Sequence, residues 1–455
     1  MTCLGLTVAV LVVYGQVWDF SFTSYDDDRY VGQAMVRQGI TPAGVLWACT
    51  SIVNGAWMPV TWFSHMLDFQ LFGEWAGGHH LVNVLFHLAN SLLLYLLLFR
   101  LTRAQGKSAL VATLFALHPL HVESVAWIAE RRDVLSCFWE LAAVMAYAGW
   151  IRRGGWGRYL VVVICFVAAL GAKPMAVTLP VVLFLLDFWP FGRLLSEGGE
   201  QRQPEWRIFI RRLLEKAPLL LIALLISALT VFAEDQHGTV GNLVQYPMLF
   251  RLENALLAYC RYLGQVIWPV GLHPHYPFPD SIHPVTVFGA AFFLGVVSWV
   301  MLRAGKSRPY LAMGWLWYLA TMLPVIGLIQ QGDGFALADR YTYFPLIGIF
   351  IMIAWGGDEL VRRVIPAERW KAGPALAVLL VLAGCSYRQA GFWRDTPTLF
   401  GYTLSVDPAN RIALSQLGVY YRERGQLAKA APYLEKAGKL YPKDFDARAN
   451  LGQLY

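Results

Sequence analysis

From Leu4 to Ser386 the chain alternates apolar runs with short basic loops, and that alternation restricts its fold more than any other feature. The runs are Leu4–Val17, His80–Phe99, Ser108–Ile128, Val134–Ile151, Tyr159–Gly171, Met175–Trp189, Ala217–Phe232, Pro284–Leu302, Tyr310–Ile329, Tyr341–Trp355 and Ala375–Ser386. A soluble core has no need of so many segments approaching the ~20 residues that cross a bilayer as a helix. Hydrophobic residues make up 57% of the chain and charged residues 15%. An all-α polytopic membrane protein follows, with about eleven transmembrane helices.

The charges orient the bundle. Arg100, Arg103 and Lys107 share one loop, and Arg152, Arg153 and Arg158 another. Arg202, Arg207, Arg211 and Arg212 lie between Arg193 and Lys216. Arg303, Lys306 and Arg308 form a fourth group, and Arg362, Arg363, Arg369 and Lys371 a fifth. All five face the cytoplasm by the positive-inside rule if Asn254–Val270, with Arg261, Gln265 and Trp268-Pro269, is re-entrant or interfacial. The net charge of +7 therefore marks topology and not nucleic-acid binding. The N-terminus is then cytoplasmic and the C-terminus outside. The six cysteines are scattered, with no CxxC pair, and read as small core residues.

The outer face collects the polar residues. Asp26, Asp27 and Asp28 stand in a row just after the first run, at the start of an outer loop spanning residues 18–79. A carboxylate there is either a solvated loop residue or a general base for a hydroxyl; the order of preference is Asp27, Asp26, Asp28. A divalent metal on this triplet is the less favoured reading, and no cofactor is expected. His118, His121, Glu123, Glu130, Arg131, Arg132 and Asp133 crowd the next outer turn. Their spacing fits no zinc motif; they form either a hydrogen-bonded network or a substrate pocket in which Arg131 and Arg132 grip a phosphate. Lys173 either snorkels or offers a point charge to a lipid phosphate. Arg340, beside Tyr341, either pairs with Asp339 or binds phosphate. The proline-rich segment His273–Pro279 reads as a lid or wall. One acid, several cations and aromatics on one face suit group transfer from a lipid phosphate to a hydroxyl.

After residue 390 the sequence changes character. Pro408 and Pro442 stand 34 residues apart, as do Leu417-Gly418 and Leu451-Gly452. This is tetratricopeptide spacing, with one full repeat over Arg411–Lys443 and partial repeats on either side. Such repeats need neighbours, so the natural chain is expected to continue past Tyr455.

The motifs Tyr25-Asp26-Asp27, Trp57-Met-Pro-Val-Thr61, His80-Leu-Val-Asn83 through Asn90, Phe115-Ala-Leu-His-Pro119 through Asp133, Lys173 through Pro180 and Ala338-Asp-Arg-Tyr341 run through nearly the whole chain. Together with the repeats they resemble the transmembrane and tetratricopeptide-repeat protein O-mannosyltransferases of the GT-C glycosyltransferase superfamily, as a bacterial relative. The resemblance implies a GT-C fold over residues 1–390, repeats over 391–455, a polyprenyl- or dolichyl-phosphate sugar donor and a catalytic Asp at Asp26 or Asp27. Asp28 and Pro174 depart from the family pattern. The expected function is sugar transfer to a protein or glycan acceptor recruited by the repeats. Alternatives are a non-enzymatic scaffold or transporter, and an enzyme that moves a whole oligosaccharide. The chain holds no Asn-X-Ser/Thr sequon, which leans toward a bacterial inner membrane over the ER.

Overall fold

The computed structural model describes residues 1–53, 55–194, 205–236, 246–279, 281–328, 335–364 and 372–454. Arg202, Ile329, Arg369, Lys371 and Tyr455, all used above to place loops or ends, lie outside the described residues.

Among the described residues nearly every element is helical. Four helices are long and apolar enough to cross a membrane: Thr2–Asp19, Ala76–Thr102, Ile128–Arg153 and Pro284–Ala304. Three bent pairs raise the number to seven if each pair is one span, and Trp156–Ala172 and Pro174–Phe188 are shorter apolar helices. The segment read as non-crossing forms the Met248–Ile267 helix, which carries Arg251 and Asn254 buried on one face. It is not among the candidate spans.

The Ala76–Thr102 helix rises about 40 Å, enough to span the hydrocarbon layer. Its buried face carries Asn83, His87, Asn90 and Ser91, each bonded to a neighbouring backbone or tyrosine. Polar groups inside a bundle act this way because lipid supplies no partner for them. The Pro284–Ala304 helix instead exposes Phe288, Phe292 and Trp299, the pattern of a lipid-facing helix. Helices Pro309–Met322 and Leu346–Val364 cross backbone on backbone. A Cβ built on Gly314 would meet the Gly348 carbonyl oxygen at 2.4 Å, so only glycine permits the approach.

Two short strands, Tyr276–Pro277 and Phe335–Leu337, pair antiparallel at one end of the bundle. The segment expected as a wall is tied here: the Tyr276 hydroxyl donates to Asp339 at 2.9 Å. Beyond Gly391 four helices follow, Thr396–Val406, Arg411–Glu423, Leu427–Leu440 and Phe445–Gly452. Asn410 caps the second through Ala413 N–H and Asp444 caps the fourth through Ala447 N–H, so the cap recurs at the 34-residue period. Gly418 lets Leu434 of the next helix pack onto its backbone. This unit touches the polar end of the bundle: Asn410 donates to the His275 carbonyl at 3.0 Å, and Ser24 N–H to the Thr396 hydroxyl at 2.9 Å.

Candidate active site

The outer loop leaves the first span through Thr23 and turns at Asp26, whose φ of 68° puts it in the left-handed region that aspartate tolerates better than most residues. The turn sends the next two carboxylates in different directions. Asp27 is fully buried. Its Oδ2 accepts from the Thr23 N–H at 2.8 Å and hydroxyl at 2.9 Å, and its Oδ1 from the Ala129 N–H at 3.1 Å. Burial pushes its carboxyl up to about 7, against those three donors. Asp28 faces solvent. Asp26 keeps its side chain 34% exposed and pairs with Arg29 at 3.1 Å. Partial burial raises its carboxyl above the ordinary range, while Arg29, Arg132 and Arg340 pull it back. Asp27 thus holds the loop against the Ala129 turn, buried with both oxygens engaged, while Asp26 stays partly exposed beside Arg29.

The turn after the Gln105–Leu117 helix supplies a buried anion at the centre of the cations. Glu130 is 0% exposed. Arg132 grips it with two bonds, at 2.6 and 3.0 Å, and Lys173 and Arg340 approach it at 3.5 and 3.2 Å. Lys173 also pairs with Asp133, and Arg340 with Glu123 at 2.6 Å. Three cations brought to one place would repel; the carboxylates of Glu123, Glu130 and Asp133 offset that and fix each head. Arg340 thus pairs with Glu123 and Glu130, and Asp339 is held by Tyr276. Tyr341 lies against both cations, its ring centroid 5.7 Å from Lys173 Nζ and 5.2 Å from Arg340 Cζ.

Four expected substrate contacts turn out to be internal. Arg131 is 0% exposed and spends its guanidinium on Ser64, Asp68, the His79 carbonyl and Asn83, so it cannot reach a phosphate. His118 bonds the Val266 carbonyl at 3.1 Å and His121 the Phe115 carbonyl at 2.8 Å, and both rings are buried. They lock the turn and do not line the pocket. Glu123 acts on Arg340 and not on solvent.

Arg132, Lys173 and Tyr341 line a cavity of about 160 Å³, together with Ser227 and Thr230. Met58, Pro174, Val177, Val231 and Pro324 supply its apolar wall. Cations lining a mostly apolar cleft between helices match a phosphate carrying a lipid tail. Tyr30 is a neighbour of this cluster that the sequence did not single out, and Glu130 was named only as one of the crowd in its turn. Tyr30, whose hydroxyl accepts from Arg132 at 3.0 Å, fixes that side chain. The signal for Glu130 was its place two residues before Arg132, close enough for a bidentate pair across a turn.

No family model matches the chain. It is 25% identical over 467 aligned positions to protein O-mannosyl-transferase Tmtc3 of Drosophila melanogaster, which covers 88% of this chain and 50% of the relative. It is 23% identical over 488 positions to human protein O-mannosyl-transferase TMTC4, covering 93% and 64%. A 203-position stretch is 32% identical to Drosophila Tmtc1, covering 42% and 23%. The chain thus spans about half to two thirds of the length of the relatives it matches over most of its own sequence. Among solved structures, an Archaeoglobus fulgidus oligosaccharyltransferase tethered to an acceptor peptide overlaps 94% of this chain and 58% of its own, at 14% identity and a TM-score of 0.45. ArnT from Cupriavidus metallidurans bound to undecaprenyl phosphate overlaps 99% and 76%, at 14% identity and a TM-score of 0.40. Those overlaps place no individual residue. Along most of its length the chain is similar to the TMTC protein O-mannosyl-transferases, the group its motifs resemble.

Proposed function

We propose that this chain is an integral-membrane glycosyltransferase that moves one hexose, mannose by its relatives' names, from a polyprenyl phosphate to a hydroxyl on a protein or glycan. The observation that carries the reading is a mostly apolar cavity that Arg132 and Lys173 also line, with Arg132 near enough to Asp26 to pull back a carboxyl that burial raises.

In this mechanism the lipid tail lies in the apolar cleft and the phosphate meets Arg132 and Lys173. Asp26 takes the proton of the acceptor hydroxyl as its oxygen attacks the anomeric carbon. The bond from that carbon to the phosphate oxygen breaks, and the polyprenyl phosphate leaves with its charge held by the two cations. Arg340 and Glu130 position those cations and do not touch the substrate. One displacement inverts the anomeric centre.

Residues 1–390 act as the transferase and 391–455 as tetratricopeptide repeats that bring the acceptor. Contact between Asn410 and His275 supports this, because it sets the repeats at the end of the bundle that holds the site. We assign that end to the non-cytoplasmic side of a bacterial inner membrane, with the basic loops opposite. Intact-mass analysis of extracytoplasmic proteins from cells with and without the gene tests the reading. A gene-dependent gain of one hexose supports it. A long glycan would replace it with en bloc transfer, and an unchanged mass profile would overturn it.

A further inference from the structure

We propose a divalent-metal site of the zinc class at His65, Asp68 and His79, behind the cationic cluster. His65 and Asp68 lie one turn apart on the Pro59–Phe72 helix, and His79 sits in the first turn of the Ala76–Thr102 helix. One donor atom from each comes within 4.8 Å of the others, the one such cluster among the described residues. All three side chains are buried, His65 and His79 at 0% exposure.

The pattern of hydrogen bonds points to a cation. His79 Nε2 bonds the Gly73 carbonyl at 2.9 Å. A nitrogen facing a carbonyl must carry the proton, so Nδ1 presents a lone pair, 3.8 Å from Asp68 Oδ2. His65 has no partner on either ring nitrogen, and His79 Nδ1 has none. A buried imidazole with both nitrogens unsatisfied is costly. Two buried imidazoles and a buried carboxylate that converge are the donor set that suits zinc, with a fourth position left for water. Tetrahedral ligands on zinc stand about 3.4 Å apart, so small shifts close the cluster.

Arg131 bears on this site from the other side. It donates to Asp68 Oδ2 at 2.6 Å and to the His79 carbonyl at 2.8 Å, which orients two ligands as outer partners commonly do. Its positive charge also weakens the affinity, so the metal should yield to a chelator. Bound there, the ion pins the outer-loop helix to the membrane helix and fixes Arg131, one residue before Arg132. Its role is structural, and it does not depend on the transfer reaction.

The test uses the full chain purified in detergent through a tag without histidines. Elemental analysis after dialysis against zinc should find roughly one metal per chain, lost on chelation together with several degrees of thermal midpoint. His65→Gln should remove the metal. Absence of bound metal, or equal metal in His65→Gln, would overturn the proposal. If that variant does not fold, Co²⁺ added to the unaltered chain decides. Intense visible bands of four-coordinate cobalt support the site; the weak spectrum of six-coordinate cobalt means a solvated ion and overturns it.

Discussion

Two adjacent aspartates receive different duties in the proposed function, because the left-handed conformation of Asp26 turns the chain and sends their side chains apart. Asp26→Asn should keep the loop intact and cut sugar transfer about 10²–10⁴-fold, the loss typical of a general base, measured as turnover per folded protein. Asp27→Asn should act on stability. An amide offers one acceptor where the carboxylate meets three donors, leaving a buried N–H or O–H unsatisfied at a cost of about 1–3 kcal/mol, read from thermal unfolding. The sign of the pH effect also separates them. Asp27 has a raised carboxyl in the folded state, so its contribution is present at pH 4 and is lost as pH rises through about 7. The stability difference between the unaltered chain and Asp27→Asn should fall over that window and level off above it. Asp26 must be ionised to accept a proton, so activity should fall as the solution is acidified. None of this division was legible in Tyr25-Asp26-Asp27-Asp28, where three acids differ only in order. It depends on Ala129, more than a hundred residues away.

At the scale of elements, the sequence pointed to segments that the structure brings together, but not to the partner each side chain takes there. The turn from His118 to Asp133 was legible as a polar island in apolar surroundings. Which of its charges face substrate was not, because that depends on partners from distant helices: Arg131 is consumed by Ser64 and Asp68, while Arg132 leans on Tyr30. Arg132→Gln and Lys173→Gln should each weaken donor binding at least tenfold, since a charge-assisted bond is worth about 1.5–3 kcal/mol, with the fold retained. A donor titration on purified variants reads this. Glu130→Gln should instead disperse the cations and lower both stability and turnover, because Arg132, Lys173 and Arg340 all converge on that carboxylate. Gly314→Val tests the helix crossing. The added side chain would strike the Gly348 carbonyl, and the variant should lose about 1–3 kcal/mol or aggregate in size-exclusion chromatography.

For the whole molecule, periodicity carried the most information where it was strongest. The sequence repeats at 34 residues, and Asn410 and Asp444, also 34 apart, cap two helices. Apolar runs predicted a bundle but not its bends: the Gln105–Leu117 helix breaks by 54° before Pro119–Ala126, and that break places Glu123 under Arg340. Proline at 119 hinted at the break without fixing its angle. The outer loop, the central turn, Lys173, the turn after the Phe335–Leu337 strand and the first helices beyond Gly391 are linked by hydrogen bonds and ion pairs at one end of the bundle. Trp127 marks the junction, stacked on Tyr25 at 4.7 Å and on Trp393 at 5.5 Å.

The most direct test is turnover of a polyprenyl-phosphate-linked mannose by the purified chain in lipid vesicles, alongside equally folded Asp26→Asn and Asp27→Asn. The unaltered chain should release polyprenyl phosphate in step with a one-hexose gain on the acceptor. Asp26→Asn should release almost none, and Asp27→Asn should work at a rate that follows its folded fraction. Full turnover by Asp26→Asn would contradict the assignment of the base, and no turnover by the unaltered chain with any prenyl-phosphate hexose would contradict the reaction itself.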